Sequence, residues 1–165
     1  MSGGRDLVVI GSGPGGQKAA IQAAKAGDPV VVVEAGPVVG GAGVLSGTLP
    51  SKTLRETSLA LEALRVRSPV EGTRDSPRRP GPAGLIGRLE PVVDAHARVV
   101  DDQLRRNGVE VWSGRARFTG PRTLEVQLPD GSPRRIEGDA VVVATGSRPG
   151  HPPEVSVDHE RVLDA

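Results

Sequence analysis

The sequence predicts an α/β fold, in which helices cover a parallel sheet that is extended by a small three-stranded antiparallel β-meander. Three observations support this prediction. The apolar run 7–10 precedes a glycine-rich turn and an alanine-rich helix over 14–26, and a second apolar run follows at 30–33. This order of strand, helix and strand within about 30 residues is a βαβ unit. Short strands separated by turn signals occupy the last third of the chain.

Local signals predict the bounds of the first elements. Gly27 ends the first helix, and Pro29 stands at the first position of the second strand, where the missing N–H is tolerated. Residues 35–47 are predicted to form a glycine-rich loop. The next helix is expected over 49–67, capped by Thr48 or Ser51, because short hydroxyl side chains accept hydrogen bonds from the first backbone N–H groups.

The middle of the chain combines a predicted loop with a second long helix. Residues 68–84 are rich in proline and arginine and are expected to form a flexible loop within a single domain over 1–165. The helix is predicted over 91–107, with Gly108 as its stop. Its apolar stripe comprises Leu89, Val92, Val93, Val99, Val100 and Leu104. His96 is placed on this stripe and interpreted as a core or boundary histidine rather than a proton relay.

The last third is predicted to be β-structure. A strand over 109–112 is followed by the three strands of the meander, at 115–119, 123–128 and 133–137. Glycine, proline and aspartate mark the turns between them. The run 140–144 is predicted as a separate, fully apolar strand.

Composition excludes several classes of function. The chain has 165 residues, a length that suits one domain, and its formal net charge of +1 with two aromatic residues argues against nucleic acid as a partner. Cysteine is absent, which excludes disulfides, thiolate metal sites and cysteine nucleophiles. The spacing of the three histidines gives no metal site. No stretch approaches the roughly 20 apolar residues that span a bilayer, and a cytoplasmic protein is expected.

The turn after the first strand has the spacing G-x-G-x-x-G at Gly11, Gly13 and Gly16. The first glycine allows the tight turn, the second lets a pyrophosphate approach the backbone, and the third lets the helix pack closely. The N-terminus of the helix offers free N–H groups to phosphates. Glu34 ends the second strand, where a carboxylate accepts hydrogen bonds from ribose hydroxyls. These features predict a dinucleotide site but do not distinguish FAD from NAD.

Three further motifs resemble the pyridine nucleotide-disulfide oxidoreductases. Residues 40–56 read G-G-A-G-V-L-S-G-T-L-P-S-K-T-L-R-E and are similar to the flavin loop of that family. Residues 114–118 resemble its G-x-A-x-F strand, which passes the adenine, and 144–149 resemble its A-T-G-S-x-P segment. The resemblance implies a Rossmann-like FAD-binding domain with FAD as the cofactor.

The chain departs from the family at its redox cysteines, which fall on Gly43 and Thr48. Disulfide chemistry needs both sulfurs and is therefore impossible here. Threonine at position 48, together with the stretches 47–56 and 103–111, resembles the soluble NAD(P) transhydrogenase branch. In that branch the flavin alone relays hydride between two nicotinamide nucleotides.

The resemblance also implies roles for individual residues. Lys52 is expected beside flavin N5, where a cation stabilises negative charge on the reduced ring. Thr48 is expected to face the flavin, and 144–146 to contact it through the backbone. The full set of expected cofactor-binding residues is Gly11, Gly13, Pro14, Gly15, Gly16, Glu34, Ala35, Gly41, Thr48, Lys52, Ala116, Ala144, Thr145, Gly146 and Ser147.

Full members of the family continue into an NAD(P) domain, a returning FAD segment and a dimerisation domain. An NAD(P) site is therefore implied by the family but not expected within these residues, and a separate chain carrying those domains is an expected partner. The chain alone is not expected to turn over. Two alternatives remain: a truncated, non-catalytic remnant of a dihydrolipoyl dehydrogenase-like protein, or a free-standing NAD-binding module.

Overall fold

The structure is a computed structural model that describes residues 5–67, 84, 86–148, 150, 152–158 and 162. Apart from Gly84, the predicted loop over 68–84 lies outside the described residues. In the described part of the chain, no helix is both long enough and apolar enough to cross a membrane.

Helices and strands alternate at first, and β-structure follows in the last third. The elements are β1 (Arg5–Ile10), α1 (Pro14–Ala26), β2 (Val30–Glu34), α2 (Ala42–Leu45), α3 (Thr48–Arg67), α4 (Leu89–Arg106), β3 (Glu110–Ser113), β4 (Arg115–Phe118), β5 (Thr123–Gln127) and β6 (Pro133–Val143).

The described strands form one mixed sheet with the order β3-β2-β1-β6-β5-β4. Strand β1 lies in the middle and pairs in parallel with β2 and β6, and β2 pairs in parallel with β3. Strands β4, β5 and the first half of β6 pair antiparallel. The predicted α/β fold with a parallel sheet and a three-stranded meander is thereby confirmed.

The prediction of two separate strands at 133–137 and 140–144 is wrong, because both belong to β6. Up to Glu137 this strand pairs antiparallel with β5, and from Gly138 onward it pairs in parallel with β1. Gly138 lies between the two predicted strands. Its N–H donates to the carbonyl of Arg122 (3.1 Å), so the ladder continues through the glycine. One strand therefore joins the parallel sheet to the meander.

The core has two layers, one on each face of the parallel strands. Val9 and Val32 pack with Ala20 of α1 and Leu104 of α4 on one face. On the other face, the alternate residues of the same strands pack against Trp112 and the meander; this layer contains Val8, Val31, Val33, Trp112, Leu124, Val126 and Ile136. Both faces of the parallel strands are covered, which explains their continuous apolar runs.

Helix α4 buries a narrower stripe than the sequence predicts. Its buried residues are Ala97, Val100 and Leu104, at the i, i+3, i+7 spacing of one helix face. Val99 is 49% exposed, and His96 is exposed as well. The placement of His96 in the core or at its boundary is wrong, because position 96 is one residue, about 100° of helix rotation, from the buried face.

The region around the third helix also differs from the prediction. Residues 35–47 are not loop throughout, because they include α2. Helix α3 begins at Thr48, and the carbonyl of the preceding Gly47 accepts the hydrogen bond from the Ser51 N–H (3.2 Å). The Ser51 hydroxyl donates to the Thr48 carbonyl (3.1 Å). Both hydroxyl residues therefore lie within the first turn, and Gly47 occupies the capping position.

Candidate functional site

The glycine turn after β1 packs against the end of β6. Gly11 has a φ of +102°, and a Cβ there would overlap the carbonyl oxygen of Ala144. A Cβ on Gly16 would overlap the carbonyl oxygen of Gly11. Glycine is therefore required at both positions by the protein itself, because α1 and β6 approach the turn too closely for any side chain.

Gly13 occupies a different environment. It is the N-cap of α1, with a φ of −63° that any residue adopts, and the nearest atom to a Cβ there would be Gly41 Cα at 4.0 Å. Pro14 follows as the first helical residue, and a Cβ on Gly15 would meet nothing within 4 Å. The space in front of this helix end is thus open. A phosphate would fill the space that the missing Cβ at position 13 leaves.

The electrostatics of this helix end also suit an anion. No side chain caps α1, and its first turn contains no acidic residue. Pro14 has no N–H, so Gly15 and Gly16 supply the first backbone donors, and the helix dipole adds about half a positive charge. The helix is 13 residues long. These features fit the pyrophosphate of a dinucleotide.

The loop after β2 is folded onto this turn. Gly41 has a φ of +64°, and a Cβ there would lie 2.7 Å from Gly13 Cα. The Gly41 carbonyl accepts the N–H groups of Val44 (3.1 Å) and Leu45 (3.0 Å), which starts α2. A Cβ on Gly43 would touch only Pro14, at 3.9 Å. Neither space nor backbone conformation requires glycine at 43, where the resembled family carries a cysteine.

Glu34 is held at the end of β2 by three hydrogen-bond donors. Its Oε2 accepts the Ser12 N–H (2.8 Å) and the Ser12 hydroxyl, and its Oε1 accepts the Gly36 N–H (2.7 Å). The Ser12 hydroxyl oxygen accepts a hydrogen bond from the Gly40 N–H (3.0 Å), and the Ser12 carbonyl accepts one from Gln17 Nε2 (2.7 Å). The motif predicts Glu34 at this place, whereas nothing in the sequence pattern singles out Ser12.

The carboxyl ends of β1, β2 and β6 meet at the same edge of the sheet. The Gly11 N–H donates to the Val33 carbonyl, and the Ala144 N–H donates to the Ile10 carbonyl, both at 2.8 Å. The segment after β6 continues along this edge, with Thr145, Gly146 and Ser147 exposed. Ligands of open parallel sheets bind outside the carboxyl ends of the strands, so this edge is the candidate site.

A cleft of about 360 Å³ adjoins Glu34 on the side of the meander. It is lined by Ala35, Gly36, Pro37, Ser113, Gly114, Arg115, Gln127, Leu128 and Pro129. Ala116 lies in β4 and packs towards the core against the meander, so it is not one of the residues that line this cleft. A second cleft, of about 390 Å³, runs from Glu34 along α4 and has both acidic and basic residues in its wall.

Thr48 and Lys52 are not part of this hydrogen-bond network. Both are exposed in the first two turns of α3, and neither side chain makes a hydrogen bond to another described residue. The glycine turn, by contrast, contacts Gly41 and the start of the segment after β6, and Ser12 within it is hydrogen-bonded to Glu34 at the end of β2. Among the described residues, no group of three His, Asp or Glu side chains could hold a metal ion.

The sequence matches the profile of the pyridine nucleotide-disulphide oxidoreductase family over residues 5–164. It is 45% identical, over 97% of its length, to the soluble pyridine nucleotide transhydrogenase of Mycobacterium tuberculosis (strain ATCC 25177 / H37Ra). The identity to the enzyme of that name from Erwinia tasmaniensis is 36%, again over 97% of the chain. The chain spans about a third of these relatives, 34% of each.

Solved structures show the same fold. LpdA from Mycobacterium tuberculosis superposes with a TM-score of 0.77 and 31% identity, over 96% of this chain and 35% of LpdA. The HOCl-induced flavoprotein disulfide reductase RclA from Escherichia coli, solved as a Cu(II) complex, has a TM-score of 0.73 over 93% of this chain and 31% of RclA. At 24% identity, the likeness to RclA concerns the fold alone.

Proposed function

The chain belongs to the pyridine nucleotide-disulphide oxidoreductase family, and we propose that it is the FAD-binding part of a flavin-dependent pyridine-nucleotide oxidoreductase that acts as a transhydrogenase. The observation that carries the proposal is the open N-terminus of α1. Packing within the protein does not require glycine at position 13, and the absence of a side chain there leaves room for a phosphate. The family as a whole implies FAD and a pyridine nucleotide as ligands. The fit of FAD to these residues supports the proposal that this chain binds the FAD.

We propose a position on the candidate edge for each part of FAD. The pyrophosphate would lie against Gly13, Gly15 and Gly16, at the N-terminus of α1. Glu34 would accept a hydrogen bond from a hydroxyl of the adenosine ribose. The adenine would lie in the cleft between residues 35–37 and 113–115. The flavin ring would extend towards Gly41 and the backbone of 144–147.

The cysteine-free loop supports hydride transfer without a dithiol. Bound FAD supplies a two-electron carrier that exchanges hydride with nicotinamides. Positions 43 and 48 are glycine and threonine and the sequence contains no cysteine, so this chain has no thiol with which to reduce a disulfide. Lys52 is proposed to stabilise negative charge on the reduced ring from the side of α3. The similarity to soluble pyridine nucleotide transhydrogenases agrees with this chemistry.

The nicotinamide site is proposed to lie outside this set of residues. The only dinucleotide turn of the G-x-G-x-x-G type in the sequence is the one at 11–16. Because the chain spans about a third of its relatives, a second polypeptide or a further segment is proposed to contribute the NAD(P) site. Turnover would then need that contribution, whereas FAD binding tests this chain directly.

Reconstitution with FAD tests the proposal. The purified chain, incubated with FAD and passed over a desalting column, is expected to keep the flavin absorbance. FAD is also expected to raise the melting temperature more than NAD at equal concentration, since a ligand that binds the native state stabilises it. A protein that retains no flavin after this treatment, or that is stabilised by NAD and not by FAD, would contradict the proposal.

Replacement of Gly13 by alanine separates binding from folding. The backbone at 13 accepts alanine and a Cβ has room, so the urea midpoint of the apoprotein is expected to stay nearly unchanged. FAD affinity is expected to fall at least about tenfold, a loss of about 1.4 kcal/mol, because the methyl group occupies the pyrophosphate position. Titration of flavin fluorescence measures the affinity.

Gly120→Ala is the matched control for this change. Position 120 lies in the turn between β4 and β5, and a Cβ there would meet Thr123 at 3.5 Å, an ordinary contact. This variant is expected to bind FAD as the unmodified chain does. Equal FAD affinity in the two variants would show that the pyrophosphate does not lie against Gly13.

A further inference from the structure

We infer that Ser12 is a positioning residue for the adenosine ribose, which holds the Glu34 carboxylate against the phosphate turn and ties both to the loop at Gly40. This inference rests on the proposed function, because it concerns how Glu34 meets a nucleotide. The G-x-G-x-x-G spacing leaves position 12 undefined, and only the structure shows what its side chain contacts.

Ser12 is the sole fully buried polar residue in the described ranges, with an exposed fraction of 0%. All of its polar groups are used. Its N–H and its hydroxyl both donate to Glu34 Oε2. Its hydroxyl oxygen accepts a hydrogen bond from the Gly40 N–H (3.0 Å), and its carbonyl accepts one from Gln17 Nε2 (2.7 Å). One side chain therefore joins the glycine turn, the end of β2 and the loop after it.

The direction of these hydrogen bonds follows from the groups involved. A backbone N–H donates only, so the Gly40 N–H occupies a lone pair of the Ser12 oxygen. The single hydroxyl proton is then available to Glu34, whose carboxylate accepts it. An alanine at 12 would remove both bonds, leaving the buried Gly40 N–H without its acceptor and Glu34 Oε2 with one donor instead of two.

These bonds determine which part of the carboxylate faces a ligand. A carboxylate has about four acceptor positions. Two lie on Oε2 and are taken by Ser12, and one on Oε1 is taken by Gly36. The remaining position, on Oε1, is the one that accepts a ribose hydroxyl. Without the Ser12 hydroxyl, the carboxylate gains a second free position and can rotate, and its preference for one arrangement of the ribose weakens.

The test compares two nucleotides in one set of variants. Dissociation constants of ADP and 2′,3′-dideoxy-ADP are measured by calorimetry for the unmodified chain, S12A and S132A. The ratio of the two constants isolates the contribution of the ribose hydroxyls. S132A is a matched control, because the Ser132 hydroxyl also donates to a carboxylate, Asp130 Oδ1 at 2.7 Å, but in the turn between β5 and β6.

The unmodified chain and S132A are expected to bind ADP more tightly than the dideoxy analogue by the same factor. In S12A this factor is expected to fall about threefold to tenfold, as for the loss of one hydrogen bond that orients a charged acceptor. If Ser12 acted only in folding, its replacement would weaken the binding of both nucleotides equally and leave the ratio of their dissociation constants unchanged. S12C, whose thiol is a weaker hydrogen-bond donor and acceptor than the hydroxyl, provides the same comparison if S12A does not fold.

Failure of the inference and failure of the proposed function give different results. If the unmodified chain discriminates between the nucleotides and S12A or S12C does so equally, Ser12 does not position Glu34 and the inference is overturned. If the unmodified chain binds neither nucleotide, or binds both equally, Glu34 does not contact a ribose, and the proposed function of this edge fails together with the inference.

Discussion

The three glycines of the motif exclude a side chain for different reasons. Gly11 and Gly16 lie against backbone atoms of the protein, at Ala144 and at Gly11 itself. Gly13 faces open space beside Gly41, and its glycine is explained by the proposed phosphate. The sequence motif predicts these three roles in this order, because each follows from the geometry of a strand that turns directly into a helix.

Gly16→Ala and Gly15→Ala are expected to have opposite effects on stability. A Cβ at 16 would overlap the Gly11 backbone, so that variant is expected to lose about 3 kcal/mol or more of unfolding free energy. Position 15 is helical and open, and alanine there is expected to add roughly 0.5–1 kcal/mol by reducing the entropy of the unfolded chain. Urea denaturation of the apoproteins measures both values. Equal midpoints would contradict the close approach at position 16.

Ser12 shows where residue-level prediction ends. The motif specifies its neighbours, Gly11 and Gly13, by backbone requirements that are local. The contacts of Ser12 are with Glu34 and Gly40, 22 and 28 residues away in the sequence. No periodicity or spacing predicts such a contact, because it depends on how the loop after β2 folds back onto the turn.

Among the elements, helix α4 and strand β6 illustrate two different errors of prediction. The predicted apolar stripe of α4 includes Val99, but this residue lies on the surface because the helix has more apolar residues than its neighbours cover. In β6, the two strands predicted at 133–137 and 140–144 form one strand that passes through Gly138. Apolar content alone does not determine which face of a helix is covered, and glycine alone does not end a strand whose backbone remains paired.

Separate truncations of two apolar residues on α4 distinguish its buried face from its exposed face. Leu104→Ala is expected to cost about 2–5 kcal/mol of unfolding free energy, because Leu104 is fully buried between α1 and the sheet and alanine would leave a cavity. Val99→Ala, the matched change on the exposed face, is expected to alter it by no more than about 0.5 kcal/mol. Thermal and urea unfolding measure both. A large loss in Val99→Ala would place the buried stripe where the sequence pattern alone predicts it.

At the scale of the whole molecule, the second half of β6 stands out. Residues 139–143 pair with β1 on one side, whereas no described strand pairs with their other side beyond Glu137. Val143, near the proposed flavin position, is 62% exposed. An open strand edge with an apolar residue at its end favours association with another strand.

The isolated chain is therefore expected to self-associate as its concentration rises, and Val143→Lys is expected to reduce this association. A charge at the end of the open edge disfavours pairing with a second strand. Val99→Lys serves as the control, since it places the same charge on an exposed apolar position of α4, away from the edge. Sedimentation velocity over a range of concentrations measures the effect. An identical distribution of species in both variants would show that β6 is not the contact.

The sequence by itself determined the βαβ unit, the glycine turn and the position of Glu34 at the end of β2, because each depends on residues close together in the chain. It also predicted the meander from its turn signals. Only the tertiary structure decided that β6 is one strand shared by both parts of the sheet, that His96 lies on the surface, and that Ser12 joins Glu34 to Gly40. These outcomes depend on packing between segments distant in the chain, and local patterns do not encode which segments meet.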